Sequence, residues 1–567
     1  MAVWKSYRIS DVINDIEDEK FVLPVMQRRL VWEEEKMELL FDTLLKGDSF
    51  GGIMVIEEEK DYKPLFNYRP FTKDGENIAS RQVDKINQLQ NFVIDGQQRL
   101  QSFYIGLKGS INGKVLYFDL YSDFSTEFEF KFENNYNLLP KSSKENIDRT
   151  IPEHFWYLSS SLLKKLKDTN DEDQIASEII TLNKIDSDVK KNHIIKNVKA
   201  FYKNVITAET LGISKVVINK SLDETSNRQK IVELFIRLND GGTKLSSFDL
   251  VASKLKAYAW EMEGFLDDIL HNYQDIGLSQ DNLIKLIFIL QGNHKKEMAS
   301  IDSTDAKFAI DNRNRIRTTL KALKDFLLYS KLYDYYREGN RSFIPLFFIA
   351  YHLYHKDLTD DKLETFFDNF DTGNVDFPLM KNWIFHSLIN GVFKSKGAGW
   401  IPYKTGIKKI LESIINYKNQ KFPINELFNV YYDHPIIFTK DYNSSNLDQL
   451  DAGFVFYLMY EMKQIIRIQD TDHIMPKSIL EVMSYDPAKI NSIKNFQLID
   501  YGTNRGEKNG KPFKEWITNS AYVTDKDAFI KRHLIPDDET LWEELQFENF
   551  IEKRAELIIE RLTINVV

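Results

Sequence analysis

The sequence predicts a helix-rich α+β protein of several domains, and three observations carry that expectation. The chain has 567 residues, which at roughly 150 residues per domain suggests two to four domains. Short apolar runs bounded by turn residues share residues 1–125 with helical periodicity, whereas helical periodicity dominates 228–450. Composition is globular, with 43% hydrophobic and 28% charged residues and sparse Gly and Pro (24 and 14), so a disordered or collagen-like chain is excluded.

In order along the chain, Val31 to Lys46 reads as an amphipathic helix, with Met37, Leu40, Phe41, Leu44 and Leu45 at helical spacing and Gly47 as its stop. Ile53 to Ile56 is a short buried strand, residues 60–90 are a polar excursion, and Phe92 to Ile94 and Val115 to Leu120 are further strands. The stretch 125–205 is mostly polar and helical, with loops around Asp168 to Asp173, and Val216 to Ile218 is another strand. In the helical middle, aromatic stripes such as Tyr333, Tyr335, Tyr336 and Phe343 to Tyr351 are most simply core. From 451 an apolar helix leads into a charged, Gly- and Asn-bearing stretch at 470–512 and then into helices. The expected domains are 1–255, 256–450 and 451–567.

Cysteine is absent, which removes disulfides, thiolate zinc sites, iron–sulfur clusters and cysteine nucleophiles. A net charge of −10 and a pI of about 5.7 exclude wrapping of nucleic acid by the whole surface, so any DNA contact must come from local basic patches. The N-terminus lacks the apolar core of a signal peptide. The most apolar stretch, Phe343 to Tyr354, is interrupted by Pro345 and His352 and is too short to span a bilayer. A soluble, cytoplasmic protein without a membrane partner is expected.

Three segments stand out in the first half: Leu23-Pro24-Val-Met-Gln27-Arg28-Arg29-Leu-Val-Trp32, Phe92-Val-Ile-Asp95-Gly96-Gln97-Gln98-Arg99, and Phe235-Ile-Arg237-Leu-Asn239-Asp-Gly241-Gly242-Thr243-Lys244-Leu245-Ser246. In the second, a strand runs into Asp95-Gly96 and a helix follows. Asp95 can cap that helix or bind a cation, and Gly96 lets the backbone turn and a ligand approach. Free N–H groups at the helix start favour phosphate; Gln97, Gln98 and Arg99 add donors, and Arg99 can clasp a phosphate bidentately. The same residues also suit a capped, solvated turn.

Together these segments resemble the N-terminal domain of GmrSD-type modification-dependent restriction enzymes, which has a ParB/sulfiredoxin-like fold. The resemblance implies nucleotide binding and hydrolysis at Asp95, Gly96, Gln97, Gln98 and Arg99, joined by Gln27 and Arg28. It leaves Asn239 and Thr243 either completing the pocket or bracing its loop. No Walker-type lysine is present, so a P-loop is not implied.

The second constellation is Asp470-Thr-Asp472-His473-Ile-Met-Pro476, then Lys494-Asn495, then Thr503-Asn504-Arg505-Gly-Glu-Lys508. A His beside an Asp can be a base next to a metal ligand, and Asn504 can supply a second oxygen; hard oxygen donors favour Mg²⁺ or Mn²⁺. Lys508 and Arg505 would sit near the phosphates. Asp433-His434-Pro435 repeats the dipeptide without trailing asparagines and reads as structural, and His352 and His355, on an aromatic-rich helix, read as packing or surface residues. The series resembles the ββα-metal (HNH) nuclease signature, as in the C-terminal nuclease domain of the GmrSD-type family. That resemblance implies Asp472 and Asn504 as metal ligands, His473 as general base, and Asn495 as the residue that shapes the histidine loop. Without cysteines, packing alone must hold such a domain.

Basic residues at Arg313, Arg315 and Arg317, and at Lys394, Lys396, Lys404, Lys408 and Lys409 interleaved with Trp400 and Tyr403, are DNA-contact candidates or solvated faces. Between Asp470 and Glu515 seven Lys/Arg face seven Asp/Glu, so this stretch alone is no strong DNA grip. The expected function is an anti-phage restriction endonuclease that cuts or nicks modified DNA. A nucleoside triphosphate gates it through the N-terminal site, and it acts as a nicking monomer or a homodimer. The alternative is a nucleotide-dependent sensor of modified bases or phosphorothioate DNA that works by recruiting partners.

Overall fold

The structure, a computed structural model, describes residues 4–76, 78–142, 150–218, 222–240, 247–294, 300–337, 341–394, 407–432, 438–460 and 469–566. The described residues fall into two units, one of 4–265 with 300–310 and the other of 266–294 with 311–566. Both are rich in helix, and the first carries mixed sheet, so the chain is a helix-rich α+β protein. No helix among the described residues is long and apolar enough to cross a membrane.

The first unit opens with β1 (Trp4–Tyr7), α1 (Ile9–Glu17), β2 (Phe21–Pro24), α2 (Glu34–Lys46), β3 (Ile53–Glu58), β4 (Tyr68–Pro70), β5 (Gln90–Asp95) and α3 (Gln97–Lys108). Next come β6 (Val115–Asp119), β7 (Phe130–Glu133), β8 (Trp156–Leu158), α4 (Ser159–Thr169), α5 (Glu172–Leu182), α6 (Asp188–Phe201), β9 (Leu211–Val216), α7 (Glu224–Asp240) and α8 (Ser247–Tyr258). The main sheet has the order β1-β9-β3-β5-β2-β4, with β9–β3 and β5–β2 parallel and the other pairs antiparallel. A second, antiparallel sheet has the order β7-β6-β8.

Both faces of the main sheet are covered. In β5, Val93 enters the core shared with α1, α2 and α3, while Phe92 and Ile94 enter the core shared with α7 and α8. A strand buried on both faces reads as a continuous apolar run, not an alternation, which is why Phe92 to Ile94 is legible. The α1 stripe Ile9, Val12, Ile13 and Ile16 follows helical spacing onto the first of these cores.

Several expectations shift. The second helix starts at Glu34, not Val31, because the Gln98 side chain holds the N–H groups of Val31 and Trp32 outside it; Gly47, at φ 77°, ends it as predicted. The strand expected at 216–218 lies at 211–216, where Leu211 and Ile213 are buried and Val217 is 81% exposed. Two strands, β7 and β8, interrupt the stretch read as polar and helical, and the excursion 60–90 contributes β4.

The second unit is helical up to Ala452–Met459, then forms the antiparallel pair β10 (Gln469–His473) and β11 (Phe496–Asp500), with Asp472 opposite Gln497 and His473 opposite Phe496. A π-helical turn, Thr503–Lys508, and the helix Phe513–Asn519 follow. This hairpin packs on Ile474, Ile499, Phe513, Trp516, Trp542 and Phe550. From the last helix, Phe547–Val566, the buried Arg554 donates to the carbonyls of Ile493, Lys494, Phe496 and His533. Four carbonyls from a turn, a strand start and a helix end thus share one cation, whose pKa burial lowers to about 10.

Burial holds His386 at about 4 and His533 at about 3, well below the ordinary imidazole range. Each is neutral in the fold and takes up a proton on unfolding, so its stabilising share is complete above pH ~6.5 and is lost as pH falls from there to the folded-state values of about 4 and about 3. Moving from pH 7 to pH 5 should cost the second unit about 1–2 kcal/mol per buried imidazole. Denaturant titrations at both pH values check this: His533→Phe should flatten the dependence, and an unchanged slope would refute it.

Candidate functional site

At the end of β5 the chain turns at Gly96, whose φ of 87° is left-handed, and α3 begins. A side chain there is excluded twice, since a Cβ would stand 2.2 Å from Ile53 Cδ1 in a backbone that L-residues avoid. The turn leaves the first N–H groups of α3 without helical partners.

The glutamines around this turn serve the loop 27–32. Gln97 Nε2 donates to the Arg28 carbonyl (2.7 Å), and Gln98 Nε2 donates to that of Arg29 (3.1 Å). Gln98 Oε1 accepts from the N–H groups of Val31 and Trp32 (2.9 and 3.3 Å). Gln27 Nε2 donates to the Val93 carbonyl (2.8 Å). Arg69, buried against Glu263 (2.6 Å), donates to the Gln27 carbonyl from below. Expected as donors to a phosphate, the glutamine amides are committed here to backbone that has no ladder to join.

Two guanidiniums and one carboxylate supply the charge of the cavity beside the turn. A cavity of about 460 Å³ opens over the turn, lined among others by Arg28, Asp95, Gly96, Arg99, Asn239 and the indoles of Trp4 and Trp32. Arg99 donates to the carbonyls of Phe50 and Gly52 (3.1 and 2.7 Å) and reaches Asp95 Oδ2 at 3.3 Å. Arg28 makes no side-chain hydrogen bond or ion pair among the described residues, and burial lowers its pKa. A half-desolvated guanidinium beside free helix-start amides is an arrangement built for an anion. Asn239 donates its amide to the Phe235 carbonyl of its own helix (2.7 Å), so it lines the cavity from a fixed position. Thr243 lies outside the described residues, as do Asp433 to Pro435, Lys396, Trp400, Tyr403 and Lys404.

In the second unit the expected nuclease residues form three contact sets. Asp472, buried, accepts from Gln497 Nε2 and Lys508 Nζ (both 2.7 Å). Asn504 donates to Asp470 Oδ2 (3.2 Å). His473 Nε2 meets Asn491 Oδ1 at 3.1 Å, and its ring packs edge-on to Phe496. Because Asn491 gives its amide nitrogen to the Pro487 carbonyl, its oxygen is the atom turned to His473. Nε2 therefore carries the proton and Nδ1 the lone pair. Burial is the main cause that holds His473 below its ordinary pKa, favouring the neutral base. Asn495, fully buried, accepts from the Met475 N–H and donates to the carbonyls of Met475 and Ile490, which fixes the turn after the histidine.

Lys508, expected at the phosphates, is instead 2% exposed and neutralises Asp472 over the Trp516 ring. Its ammonium also holds the His473 carbonyl. Arg505 is the exposed cation of this segment, stacked 4.3 Å above Tyr501 and touching Asp470. Asp470 and Gln497 were not singled out from the sequence. The Asp-x-Asp spacing is the signal for the first, since residues two apart share a strand face; Gln497 becomes visible only through the register of β10 and β11.

Two other groups sort out differently. Arg315, expected in a DNA-facing patch, is spent on the carbonyls of Tyr354, Lys356 and Leu358, and Arg317 pairs with Asp268. Asp119, Glu129 and His154 are the one trio of His, Asp or Glu among the described residues close enough to share a metal. Asp119 there also accepts the N–H groups of Tyr121 and Phe155, as a corner-forming carboxylate does.

The first unit is thus a two-faced α/β sheet domain with an anion-ready cavity at a strand-to-helix turn. Residues 9–256 match the family described as GmrSD restriction endonuclease, N-terminal domain. The match takes in every strand of both sheets of this unit except β1, so the chain carries an N-terminal domain of the GmrSD restriction endonuclease type. No curated protein matches the chain.

If Gln98 holds the loop, Gln98→Ala should cost about 0.5–1.5 kcal/mol, since water can replace part of what its amide gives the Val31 and Trp32 N–H groups and the Arg29 carbonyl. Gln98→Glu, which keeps the acceptor, should cost less. Chemical denaturation orders the two, and equal stability of all three proteins would count against the role.

Proposed function

We propose that the protein is a restriction endonuclease acting on modified DNA, in which nucleotide binding and hydrolysis at the N-terminal cavity license a metal-dependent cut at the β10–β11 hairpin. The observation that carries the nucleotide half is Arg28: a half-buried cation that feels the charge of Asp249 but makes no hydrogen bond or close ion pair among the described residues, in the cavity that holds Asp95, Arg99 and the start of α3. In this reading Arg28, Arg99 and the α3 amides hold the polyphosphate. Asp95 orients the attacking water, and Gln27, Gln97 and Gln98 keep the loop in the shape that binding requires.

The nuclease half rests on the order of elements, two antiparallel strands followed by helical turns, and on the donors they gather. Asp470, Asp472 and Asn504 offer hard oxygens, and the buried Gln497 Oε1 beside Asp472 has no hydrogen-bond partner among the described residues. That set fits Mg²⁺ or Mn²⁺, with Asp472 and Asn504 as the holding residues. The ion, when bound, supplies charge for the phosphate and the leaving oxygen. His473 takes a proton from water at Nδ1 while Asn491 holds Nε2–H, Asn495 keeps the loop in place, and Arg505 meets the DNA backbone.

One observation favours a second reading. Asp472 is occupied by Lys508 and Gln497, as in a nuclease centre kept dormant within a nucleotide-dependent sensor that recruits partners. A nicking assay on plain, hydroxymethylated, glucosylated and phosphorothioated DNA, with Mg²⁺ or Mn²⁺ and with or without nucleotide, separates the two. His473→Ala should lower cleavage by about 10²–10⁴-fold and spare nucleotide hydrolysis; Asp95→Ala should impair hydrolysis and alter cleavage. Undiminished cutting by His473→Ala would remove His473 as the base.

A further inference from the structure

We propose that Trp4 is the platform on which the base of a nucleoside triphosphate stacks, so that the N-terminal cavity takes a nucleotide in preference to a bare polyphosphate. This rests on the nucleotide reading above and adds to it the part of the ligand that the charged residues cannot recognise.

Trp4 is 53% exposed, although its indole is among the largest apolar groups of the unit. It lines the same cavity as Arg28, Asp95 and Arg99. The ring is seated on a shelf of glycines. A Cβ on Gly52 would stand 2.2 Å from Trp4 Cζ3 and 2.4 Å from Cη2, and one on Gly212 would stand 3.4 Å from Cε3. Any side chain at Gly52 would therefore evict the indole. Trp4 sits in register opposite Ser214, so sheet pairing fixes its backbone.

The shelf is joined to the charged end of the cavity. The Gly52 carbonyl beneath the indole accepts from Arg99 Nη2 at 2.7 Å. One peptide thus spaces the aromatic surface from the guanidinium, and a ligand with a flat ring at one end and phosphates at the other matches both. Trp32 lines the same cavity, but the Lys36 ammonium stands 4.8 Å from its ring centre, which leaves Trp4 as the indole open to a base. An indole stacks any base through its π-face, so the platform selects for a base without choosing which.

The test is calorimetric titration of the full-length protein in Mg²⁺ with ATP, GTP and inorganic tripolyphosphate. The unsubstituted protein should bind a nucleotide more tightly than tripolyphosphate. Trp4→Ala should weaken nucleotide binding by roughly 5- to 100-fold, the loss of one stacked base, and leave tripolyphosphate binding unchanged, which also shows that the fold survives. Trp4→Phe should recover most of the affinity, and Arg28→Ala should weaken all three ligands. Trp4→Ala that binds nucleotides normally, or loses nucleotide and tripolyphosphate equally, overturns the platform while the nucleotide reading stands. Failure of the unsubstituted protein to bind any of the three overturns both.

Discussion

The side-chain amide of Gln98 takes the N–H groups of Val31 and Trp32 and gives its own to the Arg29 carbonyl. Backbone that enters a fold without a strand or helix to pair with must find side-chain partners, and the loop 27–32 finds them in Gln97, Gln98 and Arg69. The remaining features of the N-terminal cavity follow from that stitching. With the loop fixed, α2 begins at Glu34, and Arg28 is held at the cavity wall without a hydrogen bond or close ion pair among the described residues. The glutamines bear on ligand binding through the loop they shape, and the charge on the ligand is left to Arg28, Arg99 and the helix start.

The sequence disclosed the parts of this design that depend on local chemistry. Gly96 announces a left-handed turn, Gly47 a helix stop, and the apolar run at Phe92 a strand covered on both sides, because each is a property of one residue or a short run. What it concealed depends on pairing. β9 carries Gly212 and Ser214 between its buried Leu211 and Ile213, which breaks up the apolar run that would announce a strand. β7 buries Phe130 and Phe132 between the charges of Lys131 and Glu133, and β8 is only three residues long, so neither stands out until the register is known. The glutamines were legible as functional in kind, but whether their donors meet a ligand or a loop is settled only by what lies across the turn.

In the second unit two buried cations divide the work of a domain without cysteine. Arg554 gathers four carbonyls from the turn at 493–495, the start of β11 and the end of the helix Lys526–His533, and Lys508 neutralises Asp472 while holding the carbonyl of His473. A cation inside a fold is tolerable only with such complete pairing. Here the pairing fixes the strand end that carries Asp472 and His473, as covalent or metal staples do in smaller domains. Neither cation could be assigned from the sequence, since arginine and lysine most often mark solvated faces.

Charge places the last constraint. With a net charge of −10, the protein offers phosphate no general attraction, so recognition of any polyanion has to be local. Exposed lysines would be screened at physiological salt within about 8 Å. A guanidinium partly withdrawn from water is screened less, and it pays for its desolvation only when an anion arrives. Arg28 is such a group in the first unit, and an acidic protein that must still recognise phosphates would be expected to concentrate its affinity at sites of this kind, where burial, not the number of positive residues, sets the strength of the grip.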